Sequence, residues 1–442
     1  MTRYLMAASA ILAAPVALAQ TPHDMSNMPG MSTPAAKPTP PASPESADPP
    51  PPAHDMGNMP GMDHSKMDHG DMDHAGADEM QMSGDFGSYP MTRDASGTGW
   101  QPDAASHDGV HLMSGDWMVM GHALLNGVYS SQGGPRGDDK AYVAGMAMLM
   151  ARRTFESGDS LNLRAMLSPD PFMGKRGYPL LLASGETADG TTHLVDRQHP
   201  HDLFMELSAS YTKRLSDKDS VFLYAGLPGE PAFGPPAFMH RPAAADSPEA
   251  PISHHWLDST HITFGVATLG WVHDGFKLEA SRFRGREPDQ RRYDIETGDL
   301  DSTAVRVSWN PTGNWALQAS WADVKSPEQL EPELDQKRLS ASALYTRTYE
   351  GVGEISATLA FGRKERSDGV NLDGWLGEAS WRPDEAWTVF SRGEAIESDE
   401  LGLGHAISKA SKLSLGVIHD WRIADHAKFG IGALVARNFV GD

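Results

Sequence analysis

From Trp117 to the C-terminus, apolar side chains recur at every second position in short runs, and no segment after the first twenty residues holds 18 uninterrupted apolar residues. Period-two alternation marks a β-strand with unlike faces, and a chain without a long apolar run cannot cross a bilayer as a helix. Any membrane span must therefore be made of strands. Leu161, Leu163, Ala165 and Leu167 alternate with Asn162, Arg164 and Met166; Leu203, Met205, Leu207, Ala209 and Tyr211 alternate with Glu206, Ser208 and Ser210. Phe276, Leu278 and Ala280 alternate with Lys277, Glu279 and Ser281, and Val305, Val307 and Trp309 with Arg306 and Ser308. Trp315, Leu317, Ala319 and Trp321 alternate with Gln318 and Ser320. Read this way, the strands run over 117–130, 140–154, 159–168, 202–215, 220–226, 259–273, 276–283, 302–310, 315–324, 336–348, 353–361, 373–382, 386–397, 409–420 and 427–437.

A soluble sandwich shows the same alternation, so the connections decide. Short turns such as His273-Asp-Gly275, Pro311-Thr-Gly313 and Pro383-Asp-Glu385 alternate with long polar loops at 169–201, 227–258, 284–301 and 398–408. That asymmetry is expected of an outer-membrane barrel, with short turns in the periplasm and long loops outside. Trp271 and Phe276, Trp309 and Trp315, and Trp381 and Trp387 each flank a short turn, as an interfacial aromatic girdle would. The expected fold class is all-β, an antiparallel transmembrane β-barrel of about 14–16 strands. Fifteen strands are counted where single-chain barrels have an even number, so either one is miscounted or the sequence stops one strand short, after Phe439-Val-Gly-Asp442.

At the other end, Arg3 precedes an apolar run from Tyr4 to Leu18, with Ala17 and Ala19 before Gln20. This is the pattern of a secretory signal peptide over 1–19. The 442 residues include no cysteine, which leaves methionine, histidine and carboxylates for any metal chemistry. A formal charge of -22 argues against nucleic acid as a partner, and fits either cation attraction or plain solubility.

Residues 20–83 have almost no branched aliphatic side chains and cannot build a core, so disorder is expected there, followed by a linker over 84–116 and the barrel over 117–442. Within this tail one phrase occurs twice, His23-Asp-Met-Ser-Asn-Met-Pro-Gly-Met31 and His54-Asp-Met-Gly-Asn-Met-Pro-Gly-Met62, differing at a single position. A Pro-rich spacer, Pro34 to Pro52, separates the copies, and the second runs into a five-residue repeat: Met62-Asp-His64, Met67-Asp-His69 and Met72-Asp-His74. Thioether sulfur is a soft, neutral donor that favours Cu(I) and Ag(I), and neutral imidazole also serves Cu(II). With no core to fill, the usual role of methionine does not apply. The remaining readings are a low-complexity linker and nonspecific divalent binding.

On these residues the chain resembles the copper resistance protein B family, the outer-membrane component of bacterial copper-resistance systems. The resemblance covers the signal peptide and the tail to about residue 83. It implies copper tolerance by export or sequestration, a tail in the periplasm ahead of a barrel, and a periplasmic multicopper oxidase or copper carrier as partner. The metal-binding role carries over to Met25, Met28, Met31, Met56, Met59, Met62, His64, Met67, His69, Met72 and His74, with His54 opening the second copy. The phrases Gln198-His-Pro-His-Asp-Leu203 and Ser253-His-His-Trp-Leu257 point to a neighbouring outer-membrane family instead.

Two further sets of ligands lie in the barrel region. Met118, Met120 and His122 share one strand face, as do Met146, Met148 and Met150 with Arg152, whose charge turns that face to the lumen. They read as a ladder of soft ligands or as lumen- or lipid-facing packing. His193, His199 and His201 occupy one long loop, and His240, His254, His255 and His261 lie in or beside the next, with Asp196, Asp202 and Asp258 available as oxygen partners. They read as a metal site or as loop packing. His255 with Asp258 or Ser259 is the raw material of a hydrolase, yet no nucleophile elbow, H-E-x-x-H or phosphate loop accompanies it, so no enzyme is expected. The alternative to a copper protein is a passive porin with an incidental tail.

Overall fold

The computed structural model describes the backbone of residues 3–13, and residues 83–106, 109–402 and 406–441. All fifteen alternating segments are strands. We number strands along the chain, with β1 (Arg3–Ala13) and β2 (Val110–Ser114) ahead of β3 (Trp117–Gln132), β4 (Asp139–Thr154) and β5 (Ser160–Leu167). A separate hairpin of β6 (Tyr178–Thr187) and β7 (His193–Gln198) precedes β8 (Phe204–Arg214) and β9 (Asp219–Gly226). Next come β10 (Val266–His273), β11 (Phe276–Phe283), β12 (Ser302–Thr312), β13 (Trp315–Val324) and β14 (Gln336–Tyr349). The last are β15 (Gly353–Arg366), β16 (Asn371–Arg382), β17 (Trp387–Ser398), β18 (Ser408–Ala424) and β19 (Ala427–Gly441). Each wall strand pairs antiparallel with the next from β3 to β19, the hairpin of β6 and β7 being set aside.

The ring closes through β1, which pairs antiparallel with β19 on one side and with β3 on the other. In the structure Arg3–Ala13 takes the sixteenth place in the ring. β19 and β3 each present an edge of backbone donors and acceptors, and such an edge takes up an available extended segment. Arg3–Ala13 is also the stretch that carries the signal-peptide pattern, so this is the position that cleavage would empty.

The faces are inverted relative to a soluble protein. Leu269 and Leu359 are 64% and 68% exposed on the outside, whereas Lys277 and Arg306, on the other face, are 0% and 1% exposed. Charged side chains lie buried inside while the outer face is lined with exposed apolar ones, which fits only a wall bathed in lipid. Trp271, Trp309, Trp315, Trp381 and Trp387 are exposed beside the short turns, and Trp421 joins them. The chain is an outer-membrane β-barrel.

Three segments fill the lumen, one of them the 168–203 connection, whose Tyr178 and Leu180 to Ala183 pack among Val128, Tyr142 and Leu376 of the wall. The stretch 84–116, expected to be a linker, is instead a packed plug over 83–106 followed by β2, which makes a hairpin with β3. Phe86, Tyr89 and Trp100 pack against Phe222, Tyr224, Val272 and Phe283 of the wall. The plug's polar groups answer the wall's cations: Asp85 pairs with Arg164, and the Thr98 carbonyl accepts from Lys277. At the short-turn end, Arg93 grips Asp103 with two hydrogen bonds at 2.7 and 2.8 Å and donates to the Asp274 carbonyl at 3.1 Å. The Ala104 amide bonds the Gly313 carbonyl at 2.9 Å. Composition made this stretch look like a linker because its three aromatics have no core of their own; the barrel provides it.

From the opposite end the 227–265 connection folds inward. Arg241 donates to Glu378 on β16 at 2.8 and 3.0 Å, Ser253 to Glu394 on β17, and Trp256 to the Leu372 carbonyl at 3.1 Å. Gly362 and Gly374 make room: a Cβ at either would lie 2.2 Å from the Trp256 carbonyl oxygen or 2.7 Å from its ring. Residues 259–265, expected as the start of a strand, belong to this connection and turn at Ser259–His261 before β10 begins.

Candidate metal-binding lumen

The methionines of β3, β4 and β5 meet across the sheet register. Met118 stands opposite Arg152, Met120 opposite Met150, His122 opposite Met148, and Met148 opposite Met166. Met91 of the plug joins Met118, Met120 and Met150 in one buried cluster; Met146, Met166 and Met205 form a second with Ile262 and Phe264. Met148 packs against both clusters and links them, and Met239 of the inward loop packs against the second. Met205 corrects the sequence reading, which put it on the lipid face with Leu207. The pairing of β5 with β8 slips between Met166 and Leu167, and this bulge turns Met205 inward beside Glu206. The first cluster lies nearer the short-turn end, because β3 begins and β4 ends there.

Above the methionines come imidazoles. His122 and His240 lie 6.4 Å apart between ring centroids. Beyond them a chain of rings runs from His201 to His261 at 5.2 Å, His261 to His254 at 5.2 Å, His254 to His255 at 5.5 Å, and His255 to His199 at 5.6 Å. Two aspartates set their orientation. His201 Nδ1 meets Asp170 at 2.8 Å, His254 Nδ1 meets the Asp258 carboxylate at 2.8 Å, and His261 Nδ1 meets the Asp258 carbonyl at 2.7 Å. A carbonyl only accepts, so His261 Nδ1 carries the proton and its Nε2 offers a lone pair. His201 Nε2, His255 Nε2 and His261 Nε2 are buried without a hydrogen-bond partner among the described residues. Burial, together with neighbouring cations and rings, holds His199, His255 and His261 well below the usual imidazole range, so they are neutral and able to ligate. Burial works against ionising Asp258, but Arg241 and His254 outweigh it and keep the carboxylate charged.

Carboxylates follow outermost. His255, Glu287 and Glu328 each offer a ligand atom within 4.8 Å of the others, and all three are buried. Burial and the nearby Glu328 push the Glu287 carboxyl up to about 8. Arg292 ties Glu186 and Asp202 together beside them.

No family model and no curated protein matches this chain. Similar solved structures are outer-membrane proteins. A loop-deleted OmpT of Vibrio cholerae is 10% identical over 73% of this chain and 99% of its own, with a TM-score of 0.41. The anion-selective porin of Comamonas acidovorans is 12% identical over 74% and 99%, with a TM-score of 0.39. OpdQ of Pseudomonas aeruginosa is 8% identical over 75% and 90%, with a TM-score of 0.32. The membrane assignment rests on the inverted faces of the wall and not on these likenesses.

The structure brings Met118, Met120, His122, Met146, Met148 and Met150 together in the lumen, and gathers His199, His201, His254 and His255 with His261 above them. It does not bring in His193, which is exposed, or Asp196, which accepts from Arg136 at 2.5 Å and from the Leu182 amide at 2.9 Å. Ser259 donates to Glu287 at 3.1 Å. The tail ligands Met25, Met28, Met31, His54, Met56, Met59, Met62, His64, Met67, His69, Met72 and His74 lie outside the described residues. Sequence reasoning passed over Met91, Asp170, Glu287 and Glu328. Of the residues it left off the site, Met166 alone carried a local signal, its place on one strand face with Arg164.

Proposed function

We propose that this outer-membrane barrel handles copper, with the interior methionines passing Cu(I) along the wall and the tail of residues 20–83 gathering it on the periplasmic side. The observation that carries this reading is the unbroken contact from Met118 through Met150 and Met148 to Met146 and Met166. Elsewhere the inward positions mix charged and polar groups, such as Arg306 on β12, Arg338 on β14 and Glu394 on β17, with apolar ones such as Leu344, Leu376, Phe390 and Ile418, and no methionine follows Met239 in the sequence. Thioethers are concentrated on one side of the lumen, where packing alone would accept leucine. Weak, neutral sulfur donors in series allow an ion to enter and to leave, and a multivalent tail raises its local concentration. Silver, equally soft, is expected to bind too. The resemblance of the tail to copper resistance protein B points the same way, with a periplasmic oxidase or carrier as donor. Binding is the function, and no chemical step is proposed.

The test is copper tolerance and periplasmic copper content of a deletion strain. Complementation with the full chain restores tolerance, and a version lacking residues 20–82 restores part of it. Adding Met146→Leu, Met148→Leu and Met150→Leu to that version abolishes the remainder. Tolerance unchanged by the three leucines defeats the methionine path, and a passive porin gives that result.

A further inference from the structure

We propose that His255, Glu287 and Glu328 form a binding site for a borderline divalent ion, Zn(II) or Cu(II), separate from the methionine path. This site stands on its own geometry and not on the copper reading. Its ligands come from three connections at the long-loop end. His255 lies on the short helix His254–Leu257 (α1), Glu287 follows β11, and Glu328 follows β13. A hydrogen bond from the Glu287 amide to the Pro327 carbonyl at 3.0 Å fixes the last two connections to each other. Gly185 closes on His255 so tightly that a Cβ there would lie 2.7 Å from the ring.

Two observations point to a cation. First, the three ligand atoms lie within 4.8 Å of one another with all three residues buried, so two carboxylates face each other out of water. That arrangement is costly unless a proton or a bound cation compensates it. Second, Glu287 Oε2 and His255 Nε2 are buried without hydrogen-bond partners among the described residues, the His255 Nδ1 approaching Oε2 only to 3.7 Å. Arg338 does not discharge this need: it reaches Glu287 Oε1 at 3.5 Å, the oxygen that also accepts from Ser259, and leaves Oε2. One imidazole and two carboxylates make a nitrogen and oxygen set, which suits zinc and Cu(II) and is unsuited to Cu(I). Three protein ligands leave a further position for water.

The experiment measures tightly held Zn(II) on the metal-stripped, full-length protein in detergent, by equilibrium dialysis and elemental analysis. Glu287→Gln and Glu328→Gln each lose one equivalent relative to wild type, while Asp294→Asn, in the exposed acidic loop nearby, loses none. Glu328→His keeps the equivalent, and its Cu(II) form shows one more coordinated nitrogen in the electron paramagnetic resonance spectrum. Folding is read from heat-modifiable mobility on gels, and the histidine variant serves if a glutamine variant fails to fold. The Met146→Leu, Met148→Leu, Met150→Leu variant keeps the same equivalent, so the copper path and this site fail separately. Equal zinc content in wild type and in folded Glu287→Gln and Glu328→Gln overturns the proposal.

Discussion

Arg241 has no exposed surface and holds carboxylates from two parts of the molecule, Glu378 on the wall and Asp258 in the loop, the latter at 2.6 Å. Asp258 in turn orients His254 and His261. Removing one partner of such a network leaves buried charge uncompensated, which costs about 3–5 kcal/mol. Arg241→Met is therefore expected to free the 227–265 loop, seen as rapid proteolytic cutting within it while the barrel keeps its gel mobility. Pairing the change with Glu378→Gln restores part of the protection. At this scale the sequence showed that histidines cluster, in His199-Pro-His201 and Ser253-His-His255, because those neighbours are local. It did not show that Asp170 would orient His201, since the two stand 31 residues apart with the β6 and β7 hairpin between them. His261 was assigned to a strand because Ile262, Phe264 and Val266 continue the alternation beyond it.

The plug shows how an element escapes composition. Residues 83–106 are rich in Gly, Ser and Asp, yet Trp100 is buried against Tyr89 at 5.1 Å, with the Lys277 ammonium 4.6 Å above its ring. Aromatic truncation in a packed site costs about 3–5 kcal/mol. Trp100→Ala is expected to loosen the plug and to add brief openings to single-channel records in planar bilayers; excision of residues 84–105 raises the conductance throughout. Conductance unchanged by the excision contradicts the plug's role. The wall strands were legible because lipid outside and charge inside impose period two on each of them, so all fifteen appear, although β10 begins at Val266 and not at residue 259. The bulge that turns Met205 inward was not legible, since it depends on how β8 registers against β5. The hairpin of β6 and β7 was also hidden, because its buried Tyr178 to Ala183 run has no alternation.

Over the whole molecule the donors change in order, from the sulfurs near the short turns, through the imidazoles of the inward loop, to the carboxylates of the outer connections. Such an order arises from the barrel's construction: β3 to β5 carry the methionines, and the long loops carry the rest. The seam between β19 and β3 is a second property of the whole, because β1 fills a place that belongs to neither neighbour in sequence. The central claim is that copper lodges among the lumen methionines. Crystals of the barrel lacking residues 20–82, loaded with Cu(I) under reductant, test it through anomalous scattering at the copper edge. The account expects peaks beside Met118, Met120 and Met150, and beside Met146 and Met166. Saturating Cu(I) with no anomalous density at either cluster contradicts it.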